Sequence, residues 1–162
     1  MRSDRTWINE IQESDFKYVK ELYVDPTVRK YLGGPPKEEM VPSIFDDMIN
    51  SDRNSLYWVV REIESSGFIG LVSLGPHHDG EDVEISYQLL PPWWGKGYGT
   101  EVVKEVIDYA FNELNLVKVI AETQTANIYS CRLLEKAGME LDKIITRFGE
   151  KQSIYSLKKQ NT

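Results

Sequence analysis

Trp93-Trp94-Gly95-Lys96-Gly97-Tyr98-Gly99-Thr100 is the stretch that decides the fold. Three glycines alternate between the end of a strand-like segment and the start of a helical one. Glycine permits φ above zero and removes side chains that would block close approach. The helix that follows adds free N–H groups and a positive dipole end, and Lys96 adds a charge. Such a loop suits a phosphate or pyrophosphate. The spacing is not Gly-x4-Gly-Lys-Ser/Thr, which a Walker A loop needs. It is Gly-x-Gly-x-Gly rather than the dinucleotide fingerprint Gly-x-Gly-x-x-Gly, and it lies late in the chain. Taken alone, the loop also reads as a strand-to-helix turn with no ligand.

Working outward, Asp82–Leu90 alternates: Val83, Ile85, Tyr87 and Leu89 face one way, and Asp82, Glu84, Ser86 and Gln88 the other. Pro91-Pro92 ends that strand. Thr100–Leu114 carries an apolar stripe of Val103, Val106, Ile107, Ala110 and Leu114 at helical spacing. Val117–Gln124 is the next strand. A strand–helix–strand crossover of this length predicts two parallel, neighbouring strands. Asn127–Ala137 reads as a helix ended by Gly138. Met139–Thr146 and Gln152–Leu157 form a hairpin around Gly149, and Leu56–Glu62 and Phe68–Leu74 form another around Ser65-Ser66-Gly67.

Before these, Thr6–Gln12 is a weak strand. A helix opens with Ser14 as its cap and Asp15 in its first turn. Asp25-Pro26 starts a second short helix through Tyr31, and Gly33-Gly34-Pro35-Pro36 breaks the chain. Lys37–Asn50 is helical, with Pro42 tolerable near its start. The order predicts one α/β (mixed α+β) domain over residues 1–162, built on a central sheet.

Composition narrows the function. Of 162 residues, 41% are hydrophobic and 28% charged, which is a globular balance. The 19 basic and 26 acidic residues give a net charge of −7, which argues against nucleic acid as partner. That charge suits a cationic partner, and equally suits solubility alone. Apolar runs are too short for a membrane span, and no signal-like stretch follows Met1. The single cysteine, Cys131, allows neither an internal disulfide nor a cysteine metal site. A cytoplasmic, metal-free protein is the expectation.

With these elements placed, Glu84–Gly138 resembles the acetyl-CoA-binding core of the GNAT N-acetyltransferase superfamily. That family's loop is Gln/Arg-x-x-Gly-x-Gly/Ala, which Trp94-Gly95-Lys96-Gly97-Tyr98-Gly99 matches with Trp94 in place of Gln/Arg. Asn127-Ile128-Tyr129-Ser130-Cys131-Arg132 through Gly138-Met139 resembles the Asn-x-x-Ser-x-Arg…Glu-Lys-x-Gly-Phe block of the Rim-type branch, whose members acetylate ribosomal-protein N-termini. Asp25-Pro26…Lys30-Tyr31-Leu32 and Tyr155-Ser156-Leu157 extend the likeness over nearly the whole chain.

The resemblance implies a largely antiparallel sheet of about seven strands. Its parallel pair is splayed, and the backbone at Gln88, Leu89 and Leu90 pairs with the pantetheine arm. Gly95, Lys96, Gly97, Tyr98, Gly99 and Thr100 then hold the pyrophosphate, and Asn127 and Arg132 also bind the cofactor. Acetyl-CoA is the implied co-substrate and an amine the acceptor. That amine is a peptide N-terminus in the leading reading. Alternatively it is a small amine, such as a polyamine, aminoglycoside or amino acid. A homodimer through the C-terminal strands is compatible with the family. The competing readings are a silent acyl-CoA-binding module and a nucleotide-binding protein of another fold.

Acetyl transfer to an amine needs a base for the amine proton, a donor for the carbonyl oxygen and a proton for the leaving thiolate. Glu84, on the polar face of the strand entering the glycine loop, is the candidate base. Asp82 and Glu81 are weaker ones, and a solvated surface glutamate is the plain alternative. Tyr129 or Ser130 is the candidate acid, against ordinary packing or capping roles. Asn127 stands at a helix start, where it caps. Cys131 has no histidine near it in sequence and reads as packing. His77-His78 reads as a loop pair without a third metal ligand. Trp93 and Trp94 pack the loop or line the site mouth. Asp46-Asp47 and Glu38-Glu39 read as a solvated helix face.

Overall fold

The computed structural model describes residues 1–52 and 54–161. Its strands are β1 (Thr6–Glu10), β2 (Leu56–Glu62), β3 (Phe68–Pro76), β4 (Val83–Leu89), β5 (Lys118–Gln124), β6 (Glu140–Arg147) and β7 (Glu150–Lys158). Its α-helices are α1 (Phe16–Val24), α2 (Val41–Ile49), α3 (Tyr98–Asn112) and α4 (Ile128–Lys136). The strands form one sheet in the order β1-β2-β3-β4-β5-β7-β6, antiparallel except for β4 and β5.

That parallel pair shapes the molecule. β3 and β4 are in register over seven residue pairs, but β4 and β5 meet at only one, Glu84 with Ile120. Beyond it the strands diverge toward their C-terminal ends, so the sheet opens into a V. The mixed sheet with a splayed pair is the expected one.

Two cores cover the sheet. Ile85, Leu89, Val119 and Ala121 face α3 and α4, and they pack with Val103, Val106, Ile107, Ala110 and Leu134. Val59 and Leu71 face α1 and α2, against Val19, Leu22, Phe45 and Met48. The helical stripe on α3 is buried as the spacing requires, except that Leu114 lies past the helix end and is exposed.

Three local expectations are corrected. Ser14 does not cap α1: a short 3-10 turn precedes the helix, and the Asp15 carboxylate accepts the Gln12 N–H instead. Asp15 is buried because Arg61 on β2 reaches it at 2.9 Å. The segment from Asp25 to Tyr31 is a run of turns rather than a helix. The Asp25 side chain takes the N–H groups of Thr27 and Val28, which competes with helical pairing. Lys37–Asn50 divides into a 3-10 turn and α2, with Pro42 in the first turn of α2, where its missing N–H costs nothing.

Candidate active site

The V between β4 and β5 is a cleft of about 380 Å³. Tyr87 and Leu89 line one wall and Ala121 and Thr123 the other. Asn127, Tyr129 and Ser130 come from the start of α4, and the 27–32 turns close one side. The cleft is elongated, mostly apolar and edged by strand backbone, the shape that a flexible amide-bearing arm fills as an added strand. Leu90 N–H is held by Ile69 O, and Leu89 C=O accepts the Trp94 indole N–H at 2.8 Å.

A second pocket of about 220 Å³ adjoins the first across Tyr129. Gly95, Gly97 and Thr100 line it, with Arg132 and Lys136 opposite. Gly95 has φ +71° and Gly97 φ +83°, conformations that cost an L side chain. Gly97 is the residue before α3, so these turns aim the first N–H groups of α3 and its positive end into the pocket. Gly99 acts differently. A Cβ there would come within 2.4 Å of Leu133 Cδ1, so this glycine lets α3 and α4 touch. A groove with backbone N–H groups on one side and two cations on the other fits a pyrophosphate.

The N-terminal segment straps the loop. Arg5 pairs with Glu101 at 2.9 Å and donates to Lys96 O at 3.0 Å. Lys96 itself is exposed. Tyr98 is buried, with its hydroxyl on the Glu62 carboxylate, so only its backbone is left for the loop. Asn127 caps α4 by accepting the Ser130 N–H at 3.2 Å.

The two acid candidates separate. Tyr129 is exposed, and its hydroxyl accepts the Gly95 N–H at 3.1 Å while its ring stacks on Trp94. Ser130 is buried, with its hydroxyl 2.5 Å from that of Tyr87. Burial pushes the Tyr87 phenol well above its ordinary value, so it holds its proton. Tyr87 belongs to the site although its place on the apolar face of β4 reads as core.

Glu84 is half-buried beside the closed end of the V. Burial raises its pKa; the nearby Glu122 adds to this, and His77 and Arg147 partly oppose it. His77 is no loop bystander. It is buried, with Nε2 2.6 Å from Glu122 and Nδ1 3.0 Å from Asp79.

The profile of the acetyltransferase (GNAT) domain matches residues 5–140, most of the chain. The protein belongs to the GNAT acetyltransferase family. It is 25% identical over 157 residues to the uncharacterized N-acetyltransferase YoaA of Bacillus subtilis, covering 91% of this chain and 86% of the relative. Its fold superposes on a GNAT-family acetyltransferase from Bacillus anthracis with a TM-score of 0.85 at 23% identity, covering 98% and 97% of the two chains. It also superposes on spermidine N-acetyltransferase from Vibrio cholerae in complex with CoA and spermine, with a TM-score of 0.80 at 18% identity over 94% and 95%.

Acetyl-CoA is therefore the co-substrate of this N-acetyltransferase. The residues present fit it: apolar V for the arm, glycine-lined groove for the phosphates. A small pocket of about 200 Å³ lies on the α1–α2 face of the acetyltransferase. It shares Leu32, Ser86, Tyr87 and Gln88 with the main cleft, so it opens onto the V. Ser86 and Gln88 lie on the same face of β4 as Glu84.

Trp94 lines the cleft, whereas Trp93 packs edge-on against Tyr98 at 5.3 Å. Cys131 is half-buried, its sulfur 4.0 Å from Gln124 O. Glu38 is exposed and pairs with Lys20, as a solvated face would. No helix among the described residues is long and apolar enough to cross a membrane.

Proposed function

We propose that this acetyltransferase moves the acetyl group directly to a primary amine held on the α1–α2 face, with Glu84 as base and Ser130, backed by Tyr87, as acid. The observation that supports this most is the placing of Glu84. It shares a strand face with the small pocket, and its raised pKa makes it a stronger base than a surface carboxylate. Bound acetyl-CoA supplies an activated thioester. Glu84, directly or through one water, takes a proton from the amine as the new N–C bond forms. Ser130 gives its hydroxyl proton to the departing sulfur and takes one from Tyr87; Tyr87 then regains a proton from solvent as Glu84 releases the one it took from the amine. The Arg132 and Lys136 side chains hold the phosphates at the other end.

The acceptor we assign is an α-amine. The small pocket admits one residue, as the first residue of a peptide or as a free amino acid. A Rim-type peptide acceptor is one form of this reading. A polyamine is the second reading, favoured by the likeness to the spermine-bound fold. Thiol release from acetyl-CoA across a panel of peptides, amino acids, polyamines and aminoglycosides tests both. Release with free but not blocked α-amines is the expected result. Binding of acetyl-CoA without transfer to any amine would leave a silent module.

A further inference from the structure

Arg29 stands in the wall of the small pocket, on the turns after α1. It is half-buried, and its guanidinium lies over the Tyr23 ring at 4.7 Å. Three N–H groups have partners: Leu32 O at 2.9 Å, Gly34 O at 3.3 Å and Gln88 Oε1 at 3.3 Å. A guanidinium has five such donors, so two remain. All three partners are neutral. Among the described residues Arg29 makes no ion pair, and no Asp or Glu lines this pocket. The chain as a whole has an excess of acidic residues, so a cation-lined pocket without a carboxylate runs against its composition.

Taking a charge out of water is costly unless an opposite charge compensates it. The cost shows in the direction of the Arg29 pKa, which burial lowers. Asp47 of α2 acts on Tyr57 in the pocket wall, and no carboxylate contributes to the shift of Arg29. The missing counter-charge can come from a ligand. Guanidinium and carboxylate match as two parallel hydrogen bonds.

We infer that the small pocket is an anion subsite, in which Arg29 binds a carboxylate carried by the amine acceptor. Gln88 carries the subsite toward Glu84. The two residues share a strand face four positions apart, roughly 13 Å along the strand. An acceptor with both groups therefore lies along β4; an amino acid, whose two groups are only a few ångströms apart, puts its amine near Gln88 when its carboxylate is under Arg29, and Glu84 takes the proton through water. Polyamines are disfavoured, because they bring a second cation to the guanidinium. This inference rests on the proposed transfer to an amine. It narrows the acceptor to an amino acid or to a peptide with an acidic residue near its N-terminus.

Two measurements test it separately from the transfer reading. The first compares kcat/KM for amino acids with kcat/KM for their amides, with spermidine, and with peptides whose first residue is Asp or Ala. Acids are expected to exceed their amides at least tenfold. Arg29→Met should collapse that ratio through KM while leaving acetyl-CoA affinity unchanged. Arg29→Lys should restore part of it, which a merely structural arginine would not do. Preference for the Asp peptide over free amino acids would place the carboxylate on a side chain. The second measures calorimetric binding of N-acetylated amino acids and their amides to the CoA-loaded protein. Selective binding of the acids here, with no thiol release from any amine in the first measurement, would uphold the subsite and overturn the transfer reading. Transfer to amides or spermidine as fast as to acids would overturn the subsite and leave transfer standing.

Discussion

The hydroxyls of Tyr87 and Ser130 meet at 2.5 Å, joining β4 to the first turn of α4 across the cleft. Two hydroxyls from opposite sides of the V can pass one proton along a fixed line. Ser130→Ala should lower kcat by roughly a hundredfold, the usual worth of a positioned acid. The Asn127 cap survives, because it holds the Ser130 backbone N–H rather than the side chain. Tyr87→Phe should lower kcat less, since Ser130 can then recover its proton from solvent. Acetyl-CoA affinity should change little in both. If instead both variants lose cofactor binding and keep kcat, the pair belongs to the pantetheine site and not to proton transfer.

Glu84 must be ionised to accept a proton, and burial holds its pKa above the ordinary carboxylate range. The acid limb of kcat/KM should therefore fall at a higher pH than an unperturbed glutamate gives, about 4.3. Glu84→Gln should lower kcat strongly, remove that limb and leave acetyl-CoA affinity unchanged. For stability the sign follows from the raised folded-state value. The neutral form is the one the fold favours, so this stabilisation is present at low pH and lost as pH rises through that value. An acid limb that persists unchanged in Glu84→Gln would assign the base elsewhere, with Asp82 the next residue to substitute.

Elements whose cause is local were legible in the sequence: the alternation of β4, the stripe of α3, the Asn127 cap, the glycines and the crossover. What was not legible depends on partners far along the chain. Asp15 is turned from its expected helical role by Arg61, 46 residues away. His77 reads as half of a loop pair until Glu122, 45 residues on, is brought to its ring. Arg29 belongs to no motif in the sequence, and Gln88, 59 residues on, is what ties it to β4. Tyr87 follows the apolar period of its strand, and only the splay exposes its hydroxyl to a cleft. The pattern of a strand shows which face a side chain takes, and the neighbouring strand decides whether that face meets packing or a substrate.

The glycines of the loop should separate by function. Gly97→Ala puts a side chain at φ +83°, a cost of about 1–2 kcal/mol, and turns the N–H groups ahead of α3 away from the phosphates. Acetyl-CoA affinity should fall by more than tenfold, with modest loss of stability. Gly99→Ala instead drives a methyl into Leu133, an overpacking cost of about 1–3 kcal/mol. Its denaturant midpoint should fall more than its affinity does. Leu133→Ala, which opens the space, should restore part of the stability of Gly99→Ala. Equal loss of affinity in the two glycine variants, with no rescue, would contradict the division.

His77 is held between two carboxylates, Glu122 at Nε2 and Asp79 at Nδ1. Burial alone pulls the imidazole pKa down, but Glu122, Asp79 and the nearby Glu84 outweigh it, and the net shift is upward. The charged ring is thus the form the fold favours. Its stabilisation is fully present below the unfolded-state value, about 6.5, and is lost as pH rises through the folded-state one. His77→Gln keeps a polar side chain there, and Glu122 keeps Arg147 at 3.1 Å, so no bare buried charge is left behind. Thermal unfolding of both proteins from about pH 6 to about pH 8.5 is the check. The midpoint gap in favour of the wild type should be widest at the acid end and shrink with rising pH. A gap that stays constant would mean that His77 contributes as a neutral hydrogen-bonding ring.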